Sequence, residues 1–256
     1  MATYKKRGNK VKGNNNEVKS AVEQNSTTAE VFNTLDETAS RSEAWVIKNQ
    51  QNIFIVLGLI VIGILGYLGY LKFVNEPNEK MAADELAFPK QYFDKAIIST
   101  VSADSLFVMS LEGGEGKYGF VDIADEFSGT KSGNLANYYA GISYLKLKQY
   151  EEGIDYLEKF NSEDELLGPV AKGAIGDAFA DLNQLEDALN YYEQAANLRT
   201  NDFSTPLFLF KAGNMALELD KASKAVSHFE RIKKDFPNSE EAKNIDIYIS
   251  KATYSK

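Results

Sequence analysis

Residues 134–160 of this 256-residue chain have the sequence NLANYYAGISYLKLKQYEEGIDYLEKF. A glycine at position 141 is followed twelve residues later by a second small residue, Gly153, and four residues after that by the bulky Leu157. Small residues let two helices approach closely, and a bulky side chain fills the space beside the contact. The stretch therefore predicts two helices that pack against each other as a hairpin.

The same spacing occurs twice more towards the C-terminus, at intervals of 35 and 37 residues. The two further units supply, in the same order, Gly176, Ala188 and Tyr192, and then Gly213, Ala225 and Phe229. A single helical hairpin cannot bury its apolar face alone, whereas a stack of three or more forms a curved solenoid with a groove. We therefore expect an all-α domain whose groove holds other protein chains.

This spacing resembles that of the tetratricopeptide repeat. The third unit is most similar at its end, where the sequence DFPNS at residues 235–239 resembles the turn between successive repeats. The chain departs from the repeat pattern where Asn137 and Lys172 replace the aromatic residue that is usual early in the first helix. The resemblance implies an α-solenoid of three clear hairpins.

In tetratricopeptide repeats, certain positions of the first helix of each hairpin line the concave face. Carried over residue by residue, the resemblance implies a groove lined by Tyr138, Ile142, Leu145, Gly173, Asp177, Asp181, Phe210, Asn214 and Leu217. Members that clamp a C-terminal carboxylate use Lys, Arg and Asn there, and only Asn214 fits that pattern. We expect instead an apolar groove with an acidic middle, suited to extended segments with aromatic, aliphatic or basic side chains. The alternative is that several of these residues pack within the solenoid.

Two further elements are expected at the ends of the solenoid. Residues 120–131 (FVDIADEFSGTK) resemble the end of a repeat, so an irregular leading hairpin should precede the three clear ones. Its first helix would come from residues 80–98, with an apolar stripe of Leu86, Tyr92, Phe93 and Ile97. After Ser239, two glutamates predict an N-capped terminal helix. Its apolar residues, which would cover the last hairpin, are Ile245, Ile247, Tyr248 and Ile249.

A second informative feature is the uncharged segment at residues 53–71, IFIVLGLIVIGILGYLGYL. As a helix it would be about 28 Å long, which matches a hydrocarbon core of about 30 Å. A buried core helix is the alternative, but a small solenoid has no place for a helix that is hydrophobic all round. A cleaved signal peptide is disfavoured because 52 mainly polar residues precede the segment. We therefore expect one transmembrane helix.

This helix would divide the chain into three regions. Residues 1–52 would form a polar, largely disordered tail, with a helix from Thr34 or Asp36 leading into the membrane. Residues 53–71 would span the bilayer, and residues 72–256 would form the repeat domain. Gly63, Gly66 and Gly69 provide a strip on which another membrane helix could pack. Membrane helices are rich in glycine anyway, so ordinary composition is the alternative explanation.

The charge distribution predicts the orientation of the anchor. Residues 1–52 contain eight Lys and Arg against six acidic residues, whereas residues 73–256 contain 19 against 31. By the positive-inside rule the tail would be cytoplasmic and the repeat domain would lie across the membrane. In a bacterium this corresponds to a single-pass inner-membrane protein with a periplasmic domain.

The sequence gives little support for catalysis. The chain has one histidine, His228, and no cysteine, which excludes disulfides and thiolate sites. Its carboxylates are spread along predicted helical faces, and no phosphate-binding loop or zinc motif is present. The acidic repeat region is also unsuited to nucleic acid. We therefore expect a non-enzymatic scaffold without cofactor, metal or small-molecule substrate.

An anchor near the N-terminus followed by irregular repeats, with the match at residues 118–160, resembles the YfgM-like family, the ancillary subunit of the Sec translocon. The resemblance implies a protein that associates with the secretion channel and engages emerging chains or periplasmic chaperones. The long tail and the additional terminal helix depart from that family. The alternative is an adaptor for another envelope assembly, such as cell-wall synthesis, division or outer-membrane export.

Overall fold

The computed structural model describes residues 27–254, with side chains from residue 44 onwards. The part of the expected disordered tail before residue 27 lies outside the described residues. The described chain is helical apart from turns and one antiparallel bridge between Gly114 and Lys117. The α-helices are α1 (Thr27–Tyr70), α2 (Glu76–Ile98), α3 (Ala103–Glu112), α4 (Phe120–Glu126), α5 (Lys131–Lys146), α6 (Tyr150–Lys159), α7 (Leu167–Asp181), α8 (Leu185–Leu198), α9 (Ser204–Glu218), α10 (Ala222–Asp235) and α11 (Ile245–Tyr254).

The chain divides into two compact units, Met1–Gly69 and Tyr70–Lys256. In the first unit, α1 begins at Thr27 and therefore includes residues before Thr34 and Asp36, the two starting positions that the sequence indicated. Its apolar segment has no buried residue, and Phe54 is 71% exposed. The helix that contains this segment is long enough and apolar enough to cross a membrane, and it is the one such helix among the described residues. Open space surrounds its glycine strip of Gly63, Gly66 and Gly69.

In the second unit, three helical hairpins form the predicted solenoid, from α5 and α6 through α7 and α8 to α9 and α10. A Cβ atom added to Gly141 would lie 2.5 Å from Cγ of Leu157 and 2.9 Å from the carbonyl oxygen of Gly153. In the same way, a Cβ atom added to Gly176 would collide with the ring of Tyr192, and one added to Gly213 would collide with the ring of Phe229. The predicted contact of the glycine with the bulky residue is therefore present in every hairpin, and any larger side chain at these glycines would force the helices to shift.

Each hairpin makes its turn with the same backbone motif. Lys148, Asn183 and Asp220 all have a left-handed conformation, with φ between 56° and 61°. In the first hairpin the N–H of the next residue, Gln149, donates to the carbonyl of Tyr144 at 2.9 Å. The other two hairpins repeat this bond at 2.8 and 2.7 Å. The motif satisfies carbonyls at the end of the first helix and fixes the direction of the second.

The expected leading hairpin is present, but its composition differs from the prediction. Its first helix, α2, packs against α3, and residues 120–126 form the separate helix α4, which packs on α5. The tight turn at Glu115 and Gly116, both with positive φ, separates α3 from α4. Leu86 and Phe93 are buried as expected. Ile97 is 52% exposed, so its place in the apolar stripe was wrong.

A carboxylate joins the leading hairpin to the first repeat. Glu79 on α2 accepts hydrogen bonds from the backbone N–H groups of Lys131 and Ser132 at 2.6 and 3.0 Å, and from the Ser132 hydroxyl at 2.7 Å. Burial raises the pKa of the Glu79 carboxyl, but these hydrogen bonds outweigh it, so the pKa lies below its ordinary value. The charged carboxylate therefore caps α5 at neutral pH, and this contribution is lost as the pH falls through the lowered pKa.

The terminal helix covers the last hairpin as predicted. A 3₁₀ turn at Glu241–Asn244 precedes α11, and the hydroxyl of Ser239 accepts a hydrogen bond from the N–H of Ala242 at 3.2 Å. Ile245 is buried, and Tyr248 packs against the rings of the hairpin. Ile247 is 67% exposed, so the prediction that it covers the hairpin was wrong. It points away because the helical period places its neighbours on the packed face.

We expect the replacement of Ala188 or Ala225 by Leu to destabilise the solenoid. Both alanines are fully buried at a helix contact, so the extra atoms should overpack it and cost about 1 to 3 kcal/mol. The exposed Ser223 on α10 is the matched control, because Ser223→Leu adds a similar side chain without crowding. Thermal unfolding of the full-length protein in detergent measures the difference. Equal melting of all three variants and the parent would contradict the packing.

Candidate protein-binding groove

A cleft of about 270 Å³ lies between the first helices of the first two repeats. Four of the predicted groove residues meet in it: Ile142 and Leu145 from α5, and Asp177 and Asp181 from α7. The remaining lining residues are Lys146, Tyr150, Ala174 and Ala178. The small side chains of the two alanines leave room between the helices. The cleft thus combines an apolar wall with carboxylates.

The two aspartates differ in how far their charges are already balanced. Asp177 forms an ion pair with Lys211 of the next repeat at 2.6 Å and accepts a hydrogen bond from the Tyr192 hydroxyl at 2.7 Å. Burial and this carboxylate raise the pKa of Tyr192. Asp181 accepts a bond at 3.2 Å from the neutral hydroxyl of Tyr150, and no ion pair to it occurs among the described residues. Asp181 is therefore the carboxylate of the cleft that is available to a cation from a partner.

Two predicted groove residues of the first two repeats pack within the solenoid. The half-buried ring of Tyr138 lies 5.2 Å from the ring of Phe160. Burial raises the pKa of the Tyr138 hydroxyl. Gly173 is buried beneath the ring of Phe208, which would overlap any added Cβ atom. The absence of a side chain at Gly173 lets α9 approach α7. Both residues position the helices around the cleft without lining it.

The predicted groove residues of the third repeat also lie outside the cleft. The ring of Phe210 lies 4.7 Å from that of Tyr248 on the terminal helix. Asn214 donates from Nδ2 to the carbonyl of Phe210 at 2.9 Å, and Leu217 packs against the neighbouring core. These three residues belong to the packing at the C-terminal end of the solenoid, which is the alternative that the sequence left open.

The cleft includes residues that the groove prediction missed. Tyr150 begins α6, the second helix of its hairpin, whereas the prediction considered first helices alone. The signal was available in the spacing, since Tyr150 and Asp181 are 31 residues apart, close to one repeat. Offsets of 31 to 35 residues join other polar groups of adjacent repeats. The pairs are Tyr191 with Glu158, Lys211 with Asp177, Lys221 with Glu186, Lys224 with Glu193 and Arg231 with Asn197.

The single histidine takes part in this set of contacts between repeats. Nε2 of His228 lies 2.9 Å from a carboxylate oxygen of Glu193, which also pairs with Lys224 at 3.0 Å. Burial lowers the pKa of His228, although the Glu193 carboxylate opposes the shift. No group of three or more potential metal ligands occurs in the described part of the chain. The position of His228 is therefore explained by its part in the polar contacts between α10 and α8.

The family model of the tetratricopeptide repeat matches residues 135–164 and 208–239, which correspond to the first hairpin and the third. These two hairpins therefore match the tetratricopeptide repeat. Such repeats are protein-interaction scaffolds. No curated protein matches the chain. Among solved structures, the chain is similar to a crystal structure of nearly identical tetratricopeptide-like repeats from Podosopora anserina, described as a kinesin light chain. The two chains are 11% identical, and the match has a TM-score of 0.48. It covers 70% of this chain and 87% of that chain.

Proposed function

We propose that this protein is a membrane-anchored, non-enzymatic scaffold that binds a segment of a partner protein in the cleft between α5 and α7. The observation that supports this most is the pairing of an apolar wall, formed by Ile142 and Leu145, with the carboxylate of Asp181. The ion pair of Asp177 with Lys211 leaves Asp181 as the acceptor for an incoming cation. The repeats themselves belong to a class of protein-binding domains.

The chemistry of the cleft favours a particular kind of partner segment. A volume of about 270 Å³ accommodates one or two side chains rather than a folded domain. An aliphatic or aromatic side chain would bury its surface against Leu145, while a neighbouring Lys or Arg would approach Asp181. An extended segment that alternates such residues meets both requirements. Charge complementarity of this kind contributes specificity and association rate more than affinity.

The proposed location follows from α1 and from the charge distribution. The uncharged stretch of α1 has no buried residue, which suits a helix surrounded by lipid. The excess of basic residues before it favours a cytoplasmic N-terminus and a periplasmic repeat domain in a bacterial inner membrane. The resemblance to the YfgM-like family favours a place beside the Sec translocon, where emerging chains or periplasmic chaperones would be partners. An adaptor role in another envelope assembly remains the alternative.

Site-specific photo-crosslinking in cells tests the cleft. A photoreactive residue at Lys146, on the rim of the cleft, should capture a defined partner protein, which mass spectrometry identifies. The same photoreactive residue placed at the exposed position of Glu230 on α10 should not capture this partner. Asp181→Lys should reduce capture by about five- to tenfold, in line with the loss of one charge contact, and the difference should shrink as salt is raised.

The matched control for this charge reversal is Asp187→Lys, which changes another exposed aspartate, at the start of α8 and outside the cleft. It changes the net charge by the same amount and should leave capture unchanged. Circular dichroism checks that both variants keep their helical content. Equal capture from Lys146 and Glu230, or equal loss in both charge variants, would contradict binding in the cleft.

A topology experiment tests the proposed orientation. Alkaline phosphatase is active only after export, so a fusion after Lys256 should be active and a fusion before Met1 should be inactive. The expectation follows from the basic bias of residues 1–52 and the acidic bias of residues 73–256. Immunoblotting shows that both fusions accumulate. The reverse pattern of activity would rule out periplasmic partners.

A further inference from the structure

The second unit has a larger concave surface close to where its chain begins. This pocket, which we call the α2–α5 pocket, has a volume of about 930 Å³. Its walls are the π-helical turn Leu71–Asn75, the first two turns of α2, and the chain around Gly129 and Lys131 at the start of α5. It lies apart from the protein-binding cleft and shares no lining residue with it. The proposed scaffold function does not use it.

One side of the α2–α5 pocket is apolar and faces outward. The ring of Phe73 is 81% exposed, and Val74 beside it is also exposed. Leu71, Pro77 and Ala83 extend the apolar lining. Contact of this ring with water is unfavourable. Aromatic residues at the end of a membrane-spanning segment are instead stabilised by the lipid interface.

The other side of the pocket carries more positive than negative charge, with Lys72, Lys80 and Lys131 against Glu76 and Glu79. Lys72 forms an ion pair with Glu76 at 2.7 Å, and Glu79 is committed to the cap of α5. No ion pair is formed by the ammonium groups of Lys80 and Lys131 within the described part of the chain. The charge of Lys131 helps to lower the pKa of the Glu79 carboxyl, so these two groups partly balance each other. The three lysines still exceed the two carboxylates by one charge, and this excess favours an anion.

The chain connection limits how far this pocket is from the proposed membrane segment. Lys80 follows Tyr70 by ten residues, which corresponds to at most about 15 Å of helix. A lysine side chain extends several Å further, and it can direct its ammonium group back towards the lipid phosphates. The headgroup region adds several Å on each side of the hydrocarbon core. Lys80 is thus within reach of headgroups, and Phe73 is closer still.

We propose that the α2–α5 pocket binds an anionic phospholipid of the bilayer that α1 spans. The ammonium groups of Lys80 and Lys131 hold the phosphate of the headgroup, and Phe73 and Leu71 lie beside the acyl chains. A free phosphate ion would leave the apolar half of the pocket unused, so the amphipathic lipid fits better. The inference rests on the membrane anchoring in the proposed function.

Photoactivatable phosphatidylglycerol tests this site. The full-length chain is incorporated into phosphatidylcholine nanodiscs that contain a minor fraction of the probe, and labelled peptides are mapped by mass spectrometry. Labels should concentrate at residues 71–83 and 129–131. In the double variant Lys80→Gln with Lys131→Gln, labelling should fall about tenfold or more, because two cationic contacts to an anionic headgroup are lost.

The matched control is Lys90→Gln with Lys95→Gln, which removes the same charge from α2 outside the pocket and should keep the labelling. Equal labelling of all proteins, or none in the parent, would overturn the lipid site. Displacement of the probe by inorganic phosphate would show a free-phosphate site and would overturn it as well. Incorporation into the nanodiscs is scored separately. A chain that does not incorporate refutes the anchoring and the inference together, whereas incorporation without labelling refutes the lipid site alone.

Discussion

The stack depends on the close approach of two helices at a glycine in each hairpin. At Gly141 even one added carbon atom would collide with Leu157 and with the backbone of the facing helix. Because Tyr192 crowds Gly176 and Phe229 crowds Gly213 as Leu157 crowds Gly141, the three hairpins have similar shapes and can stack on one another. The left-handed turn residue in each hairpin also makes the hairpins alike, because it fixes the direction in which the second helix leaves the first.

Stacking also determines which charges remain for binding. Polar groups about one repeat apart in sequence become neighbours, so Lys211 balances Asp177 and Lys224 balances Glu193. Such exposed ion pairs each add little stability, but they remove charges from the surface. Asp181 is left beside the apolar wall of the cleft because its partner, Tyr150, is neutral. The specificity proposed for the cleft is thus a consequence of how the repeats are stacked.

The helices of the solenoid could be predicted from sequence because their small and bulky residues recur with a fixed period. The groove was harder to predict, since the period does not show what covers each face. Phe210 occupies a groove position in the family pattern, yet Tyr248 of the terminal helix packs on it. Conversely, Tyr150 reaches the cleft from a second helix. The errors at Ile97 and Ile247 have a related cause, because an apolar residue near a helix end can face outward at little cost.

Zero-length carbodiimide cross-linking with mass spectrometry tests the stacking most directly, because it joins a lysine to a carboxylate when the two are in direct contact. The full-length protein should give the cross-links Lys211 to Asp177, Lys221 to Glu186 and Lys224 to Glu193, each between adjacent repeats. The Ala188→Leu variant, with its hairpin overpacked, should give lower yields of the pairs that involve α8. Failure of these pairs to form in the parent protein, while lysines and carboxylates at other spacings are joined, would contradict the stacked arrangement.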